Sequence, residues 1–308
     1  MQAPLSELTV REKGIGGRVI EVVRWRGLDP RDRFKNPRLL ILVHGFNMAQ
    51  GRAADELSGF HRRLAGCSSS ARPLPPAWMF YWPGDHEIRS LSATTYSVRV
   101  PVAERAGERL GRLLTELSPS QRVILVGHSL GCRVVLEALN YVANERARGT
   151  PSAEVTLACL MAAAVPQGRC QGGGQPYRGE VIKNPVHIMF SRNDCVLRGV
   201  FPLGQKVNGE DMGPAVGYLG GPPGRWEQPP HETDLGHGGY LTATRSANAV
   251  AKIIDGTIPQ AMPARKLPRR ICLAMPHGLR KRQLASRAVG DQDVGWTDCW
   301  PTAGQVPG

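Results

Sequence analysis

Short segments dense in Val, Ile and Leu recur along the chain, and between them apolar positions step by three and four. Arg18–Trp25 (RVIEVVRW), Arg38–Val43 (RLLILV), Ala77–Trp82 (AWMFYW), Arg122–Val126 (RVILV), Glu154–Val165 and Pro185–Phe190 (PVHIMF) read as strands. The unbroken apolar run in RLLILV marks a strand covered on both faces. AWMFYW is stopped by Pro83 and Gly84. Within Val98–Leu117, the residues Ala103, Ala106, Leu110, Leu113 and Leu117 fall on one helix face. Val135, Ala138, Leu139 and Val142 repeat that face after RVILV, and Tyr240, Ala243, Ala247, Val250 and Ile254 repeat it near the end.

Strand–helix alternation of this kind predicts an α/β fold, with a mostly parallel central sheet carrying helices on both faces. Gln167–Gly179 and Gly199–Pro230 are rich in Gly and Pro and read as long loops. Such loops, set at strand ends, are common binding surfaces. Beyond Pro259 no period persists, so the reading is a folded domain over 1–258 and a weakly structured tail over 259–308.

The composition, 41% hydrophobic and 21% charged over 308 residues, excludes a wholly disordered chain. Net charge is +13, and part of it is concentrated at the end. Residues 259–308 hold Arg265, Lys266, Arg269, Arg270, Arg280, Lys281, Arg282 and Arg287 against only Asp291, Asp293 and Asp298. A basic tail can touch nucleic acid or an anionic membrane, but this one reads first as a solvated extension, and no nucleic-acid partner is expected. The most apolar stretch, Val155–Val165, is too short to cross a bilayer as a helix. The opening MQAPLSELTVREKG lacks the apolar core of a secretory signal. A cytoplasmic protein is the expectation. Seven scattered cysteines without a Cys-x-x-Cys pair read as reduced thiols, among them Cys132 and Cys195.

The strongest chemical signal is Gly127-His128-Ser129-Leu130-Gly131. It follows RVILV and opens the helix CRVVLEALNYV, the strand–turn–helix setting of a nucleophile elbow. The turn would hold the Ser129 hydroxyl clear of the sheet edge, with helix N–H groups behind it. His128 reads as packing. A second signal is His44-Gly45-Phe46-Asn47, directly after RLLILV. Acyl transfer needs donors aimed at the developing oxyanion, and the Leu130 and Phe46 amides are the candidates. Asn47 could anchor that loop through its side chain. Trp82, Asp85 and His86 follow a strand, a place that suits a pocket rim or a structural turn equally. Gly172-Gly173-Gly174 lacks the lysine and the strand-to-helix context of a phosphate loop.

With these motifs the chain resembles the α/β-hydrolase superfamily, and within it the small esterase- and lipase-like bacterial members, over roughly residues 18–256. Tyr81–Asp85 (YWPGD), Ser191–Asp194 (SRND) and Gly236–Leu241 (GHGGYL) add to the likeness. The resemblance implies the chain order nucleophile, acid, histidine. No carboxylate follows the strand at Val155 before Glu180, whereas Asp194 ends the run after PVHIMF; Asp194 is the expected acid. For the histidine, His237 lies between glycines directly before the last helix, with His231 in reserve; His277 sits in the irregular tail. HETDLGH does not have metalloprotease spacing, so neither a metal nor a cofactor is expected. The implied activity is hydrolysis of a small-molecule carboxylic ester, or a thioester, amide or lactone, through Ser129, Asp194 and His237. A catalytically silent scaffold of the same fold is the alternative.

Overall fold

The computed structural model describes residues 6–12, 17–27, 36–68, 73–85, 93–170, 186–210, 212–221 and 231–256. The tail expected over 259–308 and His86 lie outside the described residues, as do the three glycines at 172–174.

In chain order the elements are β1 (Ser6–Arg11), β2 (Val19–Arg26), β3 (Arg38–Val43), α1 (Gln50–Cys67), β4 (Ala77–Tyr81), α2 (Ala93–Glu116), β5 (Arg122–His128), α3 (Gly131–Ala147), β6 (Glu154–Met161), β7 (Val186–Phe190), α4 (Phe201–Val207), α5 (Val216–Leu219), β8 (His231–Glu232), α6 (Gly239–Thr242) and α7 (Thr244–Ile254). The strands form one sheet in the order β2-β1-β4-β3-β5-β6-β7-β8. Every neighbouring pair is parallel except β1 with β2, which is antiparallel. Leu39 to Val43 in β3 and Val123 to Val126 in β5 are all buried, as their unbroken apolar runs require.

The helices fall into two groups, α2 with α3 and α1 with α6 and α7. The first pair is close because α2 presents glycine to α3. A Cβ on Gly107 would stand 2.5 Å from the Glu137 Cβ, and one on Gly111 2.6 Å from that of Tyr141. Because β5, β7 and β8 run parallel, their C-terminal ends share one edge of the sheet, where ligands of such folds bind.

Several elements differ from the sequence reading. The strand expected from Glu154 to Val165 leaves the sheet at Met161, and Ala162 takes a left-handed φ of 47°. The predicted loop over 199–230 contains α4 and α5, with a turn of π-helix at Val196–Val200 leading into α4. The helix predicted from Val98 starts at Ala93 and runs through Pro101. β1, β8 and α1 were not anticipated. Among the described residues no helix is long and apolar enough to cross a membrane.

Candidate active site

β5 delivers Ser129 into a strained turn. Its φ is +54°, a left-handed conformation that costs an L-residue about 1–2 kcal/mol. Neighbouring backbone holds it there. The Ser129 N–H donates to the Met161 carbonyl at 2.9 Å, and the Ser129 carbonyl accepts from Cys132 at 3.1 Å and Ala164 at 3.2 Å. The flanking motif packs without room for a side chain. A Cβ on Gly131 would lie 2.2 Å from the His44 carbonyl oxygen, and one on Gly45 3.0 Å from the Ser129 Cβ. The loop after β3 is thereby pressed onto the turn after β5.

Two further loops bring the partners. Asp194 follows β7, and His237 follows β8, which pairs with β7 through Met189–His231 and Phe190–Glu232. His237 Nε2 stands 2.8 Å from the Ser129 Oγ, and its Nδ1 stands 2.7 Å from the Asp194 Oδ2. An ionised carboxylate only accepts, so Nδ1 carries the proton and Nε2 is left to accept from the Ser129 hydroxyl. Asp194 Oδ1 accepts from the Leu197 N–H at 2.9 Å, which fixes the carboxylate plane. Asp194 is fully buried and His237 nearly so. The reserve candidate, His231, is placed elsewhere: its ring stacks on His187 with centroids 5.6 Å apart.

The His44–Asn47 loop is braced by the segment after β4. The Trp82 N–H donates to His44 Nε2 at 3.2 Å, which puts the imidazole proton on Nδ1, where it is donated to the Gly45 carbonyl at 2.9 Å. Trp82 also donates from its indole to the His44 carbonyl at 2.8 Å and stacks on the imidazole at 5.5 Å. Burial pushes the pKa of His44 down to about 4, so the ring stays neutral in this role. Asn47, at φ +60°, docks through its backbone N–H onto the Gly84 carbonyl at 2.8 Å. Next to it, Asp85 forms a buried ion pair with Arg11 of β1, at 2.9 and 3.0 Å. Trp82 and Asp85 thus serve the turn rather than the pocket wall. Among the described residues neither the Phe46 nor the Leu130 amide has a backbone acceptor.

Residues 31–198, more than half of the chain, match the family described as alpha/beta hydrolase of unknown function (DUF900). The chain belongs to that family. No curated protein sequence matches it. Solved structures similar to this DUF900 chain include a hydrolase of the alpha/beta superfamily from Xanthomonas campestris, at 15% identity and TM-score 0.37, covering 71% of this chain and 98% of that one. The type II thioesterase YbtT of yersiniabactin biosynthesis is 13% identical at TM-score 0.36, with 73% and 94% covered. The catalytic core of acetyl xylan esterase from Trichoderma reesei is 15% identical at TM-score 0.36, with 70% and 98% covered.

Beside Ser129 and His237 lies a small cavity walled by Phe46, Tyr96, Ala164, Val196, Leu197, Val200 and Phe201. Sequence reasoning missed these walls, apart from Phe46. Val196 and Leu197 could have been suspected from their place just after Asp194; Tyr96, on a helix far away in sequence, carried no signal. Among the described residues no three His, Cys, Asp or Glu side chains stand together as a metal site would require. Cys132 and Cys159 are buried thiols, and burial pushes Cys159 up to about 12, so neither is a nucleophile near neutral pH. Among the described residues Cys67, Cys132, Cys159 and Cys170 are free thiols.

Proposed function

We propose that this protein is a serine hydrolase that cleaves a carboxylic ester, or a related thioester, by way of an acyl-enzyme. The observation that carries the reading is the buried hydrogen-bonded chain from Ser129 through His237 to Asp194, built on a left-handed serine. His237 takes the hydroxyl proton as Ser129 Oγ bonds to the carbonyl carbon, and the carbonyl π pair moves onto oxygen. The Phe46 and Leu130 amides receive that charge. Each such donor is typically worth roughly 3 kcal/mol of barrier. Collapse restores the carbonyl and expels the alcohol or thiol, protonated by His237. Water then attacks the acyl-enzyme with His237 as base, returning Ser129 and releasing the acid. Asp194 holds the imidazole in the tautomer that accepts from serine and offsets the charge of its cation.

The test is labelling with a fluorophosphonate probe, wild type beside Ser129→Ala and His237→Ala, with p-nitrophenyl esters assayed in parallel. Labelling and turnover of the wild type, lost in both variants, are expected. A folded wild type that neither labels nor turns over an ester would favour a silent scaffold instead.

A further inference from the structure

The walls of the cavity at Ser129 are tied to one another and to the Ser129 backbone. Tyr96 is one of these walls. The Tyr96 hydroxyl donates to the Ala164 carbonyl at 3.2 Å, while the Ala164 N–H donates to the Ser129 carbonyl. The ring is therefore registered to the nucleophile through a single intervening residue. Phe46 meets that ring edge-on at 6.0 Å and Phe201 at 5.8 Å, the geometry aromatic pairs prefer. Behind it, Gly204 of α4 approaches so closely that a Cβ there would lie 2.4 Å from the Tyr96 Cδ1. The ring has no room to retreat towards α4.

The space left is about 20 Å³, little more than a single water requires. Apart from Ser129 and His237 its lining side chains are apolar, save for the Tyr96 hydroxyl, which is engaged by the Ala164 carbonyl. Away from Ser129 and the oxyanion donors, an acyl group with a hydroxyl or a charge would meet only those apolar side chains, and burying a polar group unpaired is unfavourable. The acyl side of the substrate is the occupant this small space suits. The alcohol has to leave before the deacylating water can enter, whereas the acyl group stays on Ser129 through both steps.

We propose that the site selects short, unsubstituted aliphatic acyl groups, acetyl and propionyl, and that Tyr96 is the residue that sets this limit. The inference rests on the ester-hydrolase reading above. It assigns Tyr96 to specificity, because its ring occupies the volume that the third and later carbons of an acyl chain would need.

The experiment compares kcat/KM for p-nitrophenyl acetate, propionate, butyrate and octanoate in wild type, Tyr96→Phe, Tyr96→Ala and Phe201→Ala, with fluorophosphonate labelling of each. Wild type should prefer acetate to octanoate by about 100-fold or more. Tyr96→Phe keeps the ring and should keep that ratio, whereas Tyr96→Ala should raise the octanoate-to-acetate ratio at least about 10-fold. Phe201→Ala, which frees the Tyr96 ring to swing, should move the ratio the same way and decides the matter if Tyr96→Ala does not fold. Octanoate turned over as well as acetate by wild type would overturn the size limit and leave the ester-hydrolase reading standing. A ratio unmoved by the folded alanine variants would overturn the role of Tyr96. Absence of both labelling and turnover in wild type would overturn the two readings together.

Discussion

His128 donates from Nε2 to the main-chain carbonyl of His237 at 3.0 Å, so the residue before Ser129 holds the backbone of the residue that hydrogen-bonds to Ser129. The two rings lie 5.3 Å apart. Burial, with the neighbouring His237 adding to it, drives the pKa of His128 down to about 3, which keeps it a neutral donor. Its Nδ1 is buried without a partner among the described residues, an arrangement a simple packing role would not favour. We expect His128→Ala to lower kcat by about 10- to 100-fold, since a misplacement of about 1 Å can cost that much, with KM nearly unchanged. His128→Gln, which restores a donor, should recover part of the loss. A variant that is merely less heat-stable, with kcat intact, would reduce His128 to packing.

Gly131 predicts a different failure. Its missing Cβ is what lets the His44 carbonyl approach, and that oxygen is rigid backbone. Gly131→Ala should therefore separate the two motifs rather than simply crowd them, at about 1–3 kcal/mol of overpacking. Both thermal stability and fluorophosphonate labelling should fall. Gly51→Ala, in α1 and facing open space, is the control and should change neither.

How far the sequence could be read follows from the same contacts. RLLILV became β3 over the predicted residues, because a strand covered on both faces announces itself residue by residue. Ser129, Asp194 and His237 stood out as candidates because each lies in a short loop at the end of an element, and the structure brings the three together. β1 was invisible for the opposite reason: its inward positions are Ser6, Leu8 and Val10, and a buried serine breaks the alternation. In α1 the inward residues Ala53, Leu57, Phe60 and Leu64 do step by three and four, but Arg, Asp, Glu and His between them mask the face. β8 is two residues long, and its existence depends on pairing with β7 rather than on any local pattern. Trp82 and Tyr96 act through contacts with His44 and Ala164, distant in sequence, and no spacing rule reports such a relationship.

Acid should unfold the protein earlier than its carboxylates alone would. Burial lowers the pKa of His44 to about 4, of His128 to about 3 and of His187 to about 4, against a value near 6.5 in an unfolded chain. Between those limits the unfolded state binds more protons, so stability rises with pH and is lost as pH falls from about 6.5. The melting temperature should drop measurably between pH 6.5 and pH 5, where carboxylates titrate little. His187→Asn, away from Ser129, should flatten that slope by about one proton's worth. An equally steep slope in wild type and His187→Asn would show that His187 does not titrate as its burial demands.

Glu210 supports the last prediction. It accepts two hydrogen bonds from Arg133 at 2.5 and 2.6 Å and another from Arg169, which also reaches Glu104 at 3.0 Å and Glu137 at 3.3 Å. Burial pushes the Glu210 pKa up, but Arg133 and Arg169 outweigh it and hold the carboxyl below the usual range. The Arg133 side chain is fully buried on α3, two residues beyond the site turn, whereas Glu210 follows α4, whose Phe201 closes the cavity. The ion cluster thus clamps the cavity roof to the helix behind Ser129. Glu210→Gln deprives the buried Arg133 guanidinium of its nearest counter-charge, a change that typically costs about 3–5 kcal/mol, here reduced by Glu104, whose Oε1 stands 3.7 Å from the Arg133 Nε. Pairing Glu210→Gln with Arg133→Met should restore much of the stability, since replacing both partners by neutral groups is often nearly neutral. Chemical denaturation of the single and double variants measures this directly. Equal stability of Glu210→Gln and wild type would mean that the cluster is solvated and that α4 is held by packing alone.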